Sequence, residues 1–113
     1  MSQEPSKDKK DYNHQLLDKV IHARIRFAAM AYLLSVSEAS FMEIRDCIRA
    51  TDGNLSIHLR KLESAGYVEC SKCFESRKPM STYRVTEKGR DAFSLHLRNV
   101  GMFCEDTLGF LPA

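Results

Sequence analysis

The stretch TDGNLSIHLRKLESAGYVE, residues 51–69, reads as one complete helix followed by a change of texture. Thr51 or Asp52 serves as N-cap, because a short side-chain oxygen accepts an N–H that the first helical turn leaves unpaired. Gly66 supplies the stop, since it takes up the left-handed backbone that ends helices. Leu55, His58, Leu59 and Leu62 share one face. At about 100° per residue the opposite face is centred on Gly53, Ile57, Arg60, Lys61 and Ser64, with Asn54 and Ser56 beside it near the start. His58, set between Leu55 and Leu62, is expected as a packed, hydrogen-bonded core histidine rather than a metal ligand or pH sensor.

Upstream, SFMEIRDCIRA (residues 40–50) carries a capping box, in which Ser40 and Glu43 each satisfy an orphan backbone N–H. Ile44, Cys47 and Ile48 form the apolar face of that helix, so Cys47 is expected as a small buried hydrophobe. Only Ala50, Thr51 and Asp52 separate it from the next helical pattern, and so short a link makes the two helices cross steeply. Before it, RIRFAAMAYLLSV (residues 24–36) is apolar on both sides, with Ile25, Ala29, Tyr32 and Val36 on one and Phe27, Met30 and Leu34 on the other. A helix apolar all round is buried on both sides. In a chain this small the second side is expected to face another subunit.

Downstream, YVECSKCF (residues 67–74) alternates as a strand does, with Val68, Cys70 and Phe74 to one side and Tyr67, Glu69, Ser71 and Cys73 to the other. Lys72 interrupts the inward series, as expected where a strand leaves the core. ESRKP (residues 75–79) is a polar turn, and STYRV (residues 81–85) is a second strand with Tyr83 and Val85 inward. Thr86 then caps a last helix lined by Phe93, His96, Leu97, Val100 and Cys104. The expected fold is mainly α with a small β-hairpin (α+β): a three-helix core, a two-stranded wing and a C-terminal helix. Residues 1–15 are expected as a flexible N-terminal arm, 16–100 as the folded domain, and 101–113 as an apolar tail able to enter a dimer contact.

The 113 residues fit one domain. No apolar run approaches the roughly twenty residues needed to cross a bilayer, and MSQEPSKDKK lacks the apolar stretch of a signal peptide. A soluble, cytoplasmic protein with no membrane partner is expected. The net charge of +2 announces no partner, but its distribution is uneven. Residues 51–90 hold eight Lys/Arg against five Asp/Glu, whereas residues 91–113 hold one against three. There is no phosphate-cradling glycine loop, nucleophile elbow or paired-carboxylate signature, so no enzyme and no cofactor are expected.

Helix, helix, tight turn, helix, hairpin, helix is the order of a winged helix-turn-helix domain. TDGNLSIHLRKLESAGYVE, followed by the hairpin and YRVTEKGRDAF, resembles the winged-helix transcriptional regulators of the MarR and ArsR kind. It is especially similar to the short single-domain family with the pattern TDGNLSxHLxKLExAGYV. LDKVIHARIR (residues 17–26) is similar to that family's LDxxIHxPxR, with Arg24 where proline is usual. The resemblance covers roughly residues 16–98, and the expected function is a sequence-specific repressor of transcription bound to double-stranded DNA, with residues 52–65 as recognition helix and 68–85 as wing. A homodimer is expected from the two-sided apolar first helix and the apolar C-terminal stripe and tail.

The residues themselves suit that role. Asn54 and Ser56 lie where they reach phosphate or base edges, Ile57 where it touches a thymine methyl, and Arg60 and Lys61 where they contact guanine or backbone. Solvated helices also carry Arg and Lys, but an exposed isoleucine beside a tight joint is not expected of them. Lys72, Arg77, Lys78 and Arg84 make the hairpin basic, which suits phosphate contacts.

CSKC (residues 70–73) supports a rival, a metal- or thiol-redox-responsive regulator using Cys70 and Cys73, with Cys47 or Cys104. A zinc site needs both thiolates turned to one ion at about 2.3 Å. In an extended strand residues three apart point to opposite faces, about 10 Å apart. Neither Ser71 nor Lys72 is a turn former, so no metal ligand is expected there and the thiols are expected to be free. A second rival is a winged helix that binds protein and not DNA.

Overall fold

Three capping side chains set where three helices begin. The computed structural model describes residues 12–105. The chain passes from a 3-10 turn at His14–Leu16 into α1 (Arg24–Val36), a two-residue strand β1 (Ala39–Ser40) and α2 (Phe41–Ile48). Next come α3 (Asp52–Ser64), the hairpin strands β2 (Val68–Glu75) and β3 (Lys78–Val85), and α4 (Glu87–Cys104). Ser40 Oγ accepts the Glu43 N–H at 3.1 Å while Glu43 Oε1 accepts the Ser40 N–H at 2.8 Å, the capping box expected for α2. Thr51 Oγ1 accepts the Asn54 N–H at 3.2 Å, and Thr86 Oγ1 the Gly89 N–H at 3.0 Å, opening α3 and α4. Arg49 ends α2 in the left-handed conformation, φ 60°, so that α3 starts after only Ala50 and Thr51.

Apolar side chains from the four α-helices and three strands, with Ile21 from the segment before α1, meet in one core. Ile21, Met30, Leu33, Ile44, Leu55, Leu59 and Leu62 are fully buried, and Val68, Tyr83 and Phe93 close it from the sheet and α4. At about 1.5–3 kcal/mol for each large side chain removed from water, this cluster is the main source of stability. Leu55, Leu59 and Leu62 belong to α3 and fix its rotation, which leaves the opposite face in solvent.

The sheet is antiparallel in the order β1–β3–β2. Ala39 and Ser40 pair with Tyr83 and Thr82, so the expected two-stranded wing gains a short third strand. Two residues have no period for a sequence to display. At the other end, Ser76 and Arg77 form a two-residue turn with φ of 53° and 67°, the signature of a type I′ hairpin. Glu75 and Lys78 flank this turn as the hydrogen-bonded pair. The next pair, Phe74–Pro79, therefore has its N–H positions pointing outward, where proline loses no ladder bond.

Several expected placements change. Phe74 continues the inward face of β2 but is 77 % exposed, because the hairpin has by then left the core. Cys47 is exposed, as is Leu97, since α2 and α4 each turn a narrower apolar face inward than their sequences allow. The expected boundary between residues 100 and 101 falls inside α4. Of the arm expected at residues 1–15 and the tail expected at 101–113, residues 1–11 and 106–113 lie outside the described residues, while His14–Leu16 forms the 3-10 turn and residues 101–104 end α4.

The segment before α1 is tied down from two sides. Asp18 Oδ1 accepts the Val20 and Ile21 N–H groups at 2.8 and 3.0 Å, and Oδ2 accepts the Tyr67 hydroxyl at 2.7 Å. From α4, Asn99 Nδ2 donates to the Leu16 carbonyl at 2.9 Å, and His96 Nδ1 accepts the Asp18 N–H at 3.2 Å. Burial alone would raise the Asp18 pKa, but the Ile21 N–H, the Tyr67 hydroxyl and the Val20 N–H outweigh it and hold the carboxyl below its usual range. The same contact and burial push the Tyr67 phenol up to about 12, burial contributing most.

Candidate nucleic-acid interface

With its leucines inward, α3 presents Asn54, Ile57, Arg60 and Lys61 to solvent, and Ser56 half-buried beside them. Ile57 is 52 % exposed, an apolar group held on a cationic surface. Ser56, Arg60 and Glu63 of α3 share a crevice with Cys70 and Lys72 of β2 and Ser81 and Tyr83 of β3. The fold thus brings Lys72 against the same surface as Ser56 and Arg60, residues more than ten positions away in sequence. A groove on the other side of α3 is lined by Ile57, Arg60, Lys61 and the segment bearing Lys19. Arg60 stands between the two.

The remaining wing cations are placed differently. Arg77 occupies the turn itself, and Lys78 lies opposite Glu75, both at the far end of the hairpin from the core. Arg84 does not join the group: it sits opposite Glu69 at the base of the sheet, on the face alternate to Lys72. Its Nε donates to Glu69 Oε1 at 2.6 Å. The Glu69 carboxylate raises the guanidinium pKa and sets an opposite charge beside it.

Of the two histidines expected on inner helix faces, His58 and His96, only His96 is fully buried. His58 is only half-buried; its Nδ1 accepts the Arg26 guanidinium at 2.8 Å, and Arg26 also donates through Nε to the Val20 carbonyl. Burial, then Arg26 and Lys61, lower the His58 pKa. The fully buried histidine is His96, which the sequence offered only as one member of an apolar stripe. Its Nε2 lies 3.2 Å from His22 Nδ1. That spacing invites a metal, but a ligating histidine donates its second N–H to an acceptor, and His96 Nδ1 instead faces the Asp18 N–H. Among the described residues no three His, Cys, Asp or Glu converge on one point. Cys70 is half-buried and Cys73 exposed within one unbroken strand, as expected for opposite faces.

A three-helix core with a tight α2–α3 joint, an exposed cationic α3 and a hairpin beside it define a winged-helix domain. The chain belongs to the winged helix DNA-binding domain family, whose profile matches residues 25–104. It is accordingly a binding domain and not an enzyme. It is 30 % identical over 82 residues to an uncharacterized protein of Methanocaldococcus jannaschii, a match spanning 73 % of this chain and 89 % of that one. Its fold is similar to a transcriptional regulator homologue from Pyrococcus horikoshii OT3, with a TM-score of 0.76 at 24 % identity over 83 % of this chain and 94 % of that one. It is also similar to a MarR family transcriptional regulator from Silicibacter pomeroyi (TM-score 0.60, 16 % identity, 88 % and 66 % covered). A third similar structure is Lactococcus lactis ZitR in complex with DNA (TM-score 0.55, 13 % identity, 96 % and 69 % covered).

Proposed function

We propose that this protein is a sequence-specific transcriptional regulator that binds double-stranded DNA as a cytoplasmic homodimer and represses. Residues 52–65 enter the major groove and the hairpin 68–85 lies along the backbone or minor groove. The observation that carries this reading is an α3 that exposes Asn54, Ile57 and Arg60 and whose Ser56 and Arg60 share a crevice with Lys72 on the wing. Short polar groups, one apolar group and a guanidinium suffice to read base edges, while Lys72, Arg77 and Lys78 hold phosphates.

Support for a dimer comes from apolar surface left uncovered by the core. Phe27 and Val36 of α1, with Leu95, Leu97 and Met102 of α4, all remain exposed. A second copy of the chain packed on them would cover them and relate two α3 helices by a two-fold axis. No helix among the described residues is long and apolar enough to cross a membrane.

Selection of bound sequences from a random duplex library tests both parts. Enriched palindromes with half-sites one or more helical turns apart are expected. Salt-insensitive binding, or none, would overturn the DNA reading in favour of a protein-interaction module.

A further inference from the structure

We propose that Lys19, Arg24 and Arg49 form a second basic rim, on the α1 side of α3, that grips the DNA backbone opposite the one held by the wing. This rests on the DNA-binding reading above and extends it. The exposed face of α3 has two flanks. On the wing flank, Ser56 and Arg60 meet Lys72. On the other, near the start of α3, Arg24 and Arg49 line a crevice with Thr51 and Asn54, and farther along Lys19 lines the groove beside Ile57 and Lys61. A helix seated in the major groove has one phosphate backbone to each side, and a lone wing serves only one of them.

The charges on this rim are free to act. Among the described residues, the ion pairs of arginine are those of Arg45 with Asp46 and Asp52 and of Arg84 with Glu69; no carboxylate pairs with Lys19, Arg24 or Arg49. Lys19, Arg24 and Arg49 are all exposed. Arg26, between them in sequence, is different: its guanidinium is committed to the Val20 carbonyl and His58, so it positions the rim against α3 and is not itself part of it.

Local backbone energetics do not favour either arginine where it stands. Arg24 is the first residue of α1, where the helix dipole repels a cation, and no acidic residue of the first turn and no side-chain cap offsets this. Arg49 adopts φ 60°, a conformation that favours glycine or asparagine. Both positions hold a cation against local preference, side by side, next to Asn54 of the recognition helix.

The test exploits that mismatch, because the substitutions suit the backbone. Proline is well tolerated at a helix's first position and glycine at a left-handed one, so Arg24→Pro and Arg49→Gly keep the fold, checked by unchanged circular dichroism. Binding of the full chain to a duplex of about two helical turns is titrated between about 50 and 200 mM salt. Each phosphate that is no longer neutralised should lower the slope of log affinity against log salt by about 0.9, so the double variant should show a slope smaller by about two such units for each protomer, about four for the bound dimer, equally on selected and unrelated duplexes. Lys19→Ala should lower it by about one such unit for each protomer, about two for the dimer. An unchanged slope in these variants, alongside a reduced one for Lys78→Ala, would overturn the rim and leave the DNA reading standing. Salt-independent binding by the wild type would overturn both. A weakening confined to the selected sequence would also overturn the rim, since it marks base contact and not phosphate contact.

Discussion

The buried His96 of α4, 1 % exposed, accepts the backbone N–H of Asp18 at Nδ1 over 3.2 Å and so ties α4 to the segment that leads into α1. This bond decides the tautomer: Nδ1 keeps its lone pair, and Nε2 carries the proton that it donates to His22 Nδ1. Protonated, His96 would set one N–H against another. Burial and then His22 hold its pKa below the usual histidine value, with the Asp18 carboxylate opposing them.

The sign of the resulting pH dependence follows. A histidine whose pKa is depressed on folding takes up its proton first in the unfolded chain. Its stabilisation is complete above the unfolded pKa of about 6.5 and is lost as pH falls through the lower folded value. His58, depressed by burial, Arg26 and Lys61, acts in the same direction. Melting temperature should therefore fall on acidification below about pH 6.5. His96→Asn keeps an acceptor near Nδ1 without titrating, so its melting curve should depend less on pH. A dependence parallel to the wild type would remove His96 from the linkage.

Arg60 and Lys72 share a crevice, yet their substitutions should differ in kind. Arg60→Ala should weaken binding to selected DNA by about 1–3 kcal/mol and relax base preference. Lys72→Ala should weaken binding to all duplexes alike and flatten the salt dependence. Arg84→Ala, which breaks only the exposed pair with Glu69, should change DNA affinity less than either. Binding curves for the three variants on selected and unrelated duplexes check this order; an Arg84 effect as large as that of Lys72 would contradict the placement of Arg84 off the interface.

Two glycines should respond oppositely to alanine. A Cβ on Gly89 would lie 2.1 Å from the Tyr67 carbonyl oxygen, itself the acceptor of the Thr86 N–H at 3.0 Å. Gly89→Ala should destabilise by about 1–3 kcal/mol in urea unfolding, as other overpacked sites do. Gly53 has nothing within 4 Å of its Cβ position and lies in the first turn of α3. Gly53→Ala should be neutral or stabilising by up to about 1 kcal/mol. Equal destabilisation at both sites would show that α4 can shift away from Tyr67.

Much of the fold is local chemistry and therefore legible residue by residue. Ser40 with Glu43, Thr51 and Thr86 announce three helix starts because a cap is a bond between neighbours in sequence. Leu55, Leu59 and Leu62 announce which face of α3 is buried because helical periodicity needs no knowledge of the partner. By subtraction, the exposed Asn54, Ile57, Arg60 and Lys61 are legible as well. The alternation of β2 separates Cys70 from Cys73 in the same way.

What the sequence could not decide depends on which distant groups meet. Phe74 and Cys47 are apolar enough for a core, and only the reach of the hairpin and the narrow inward face of α2 leave them in water. Arg84 and Lys72 look alike as cations of one hairpin, but strand register gives one a carboxylate and the other a place beside α3. His96 lies 78 residues from Asp18, and Arg26 lies 32 from His58. Periodicity and capping determined the elements and their inner faces, because those are set by neighbours. Tertiary packing alone decided which histidine is buried, which cations stand unpaired beside α3, and thus the shape of the surface offered to DNA.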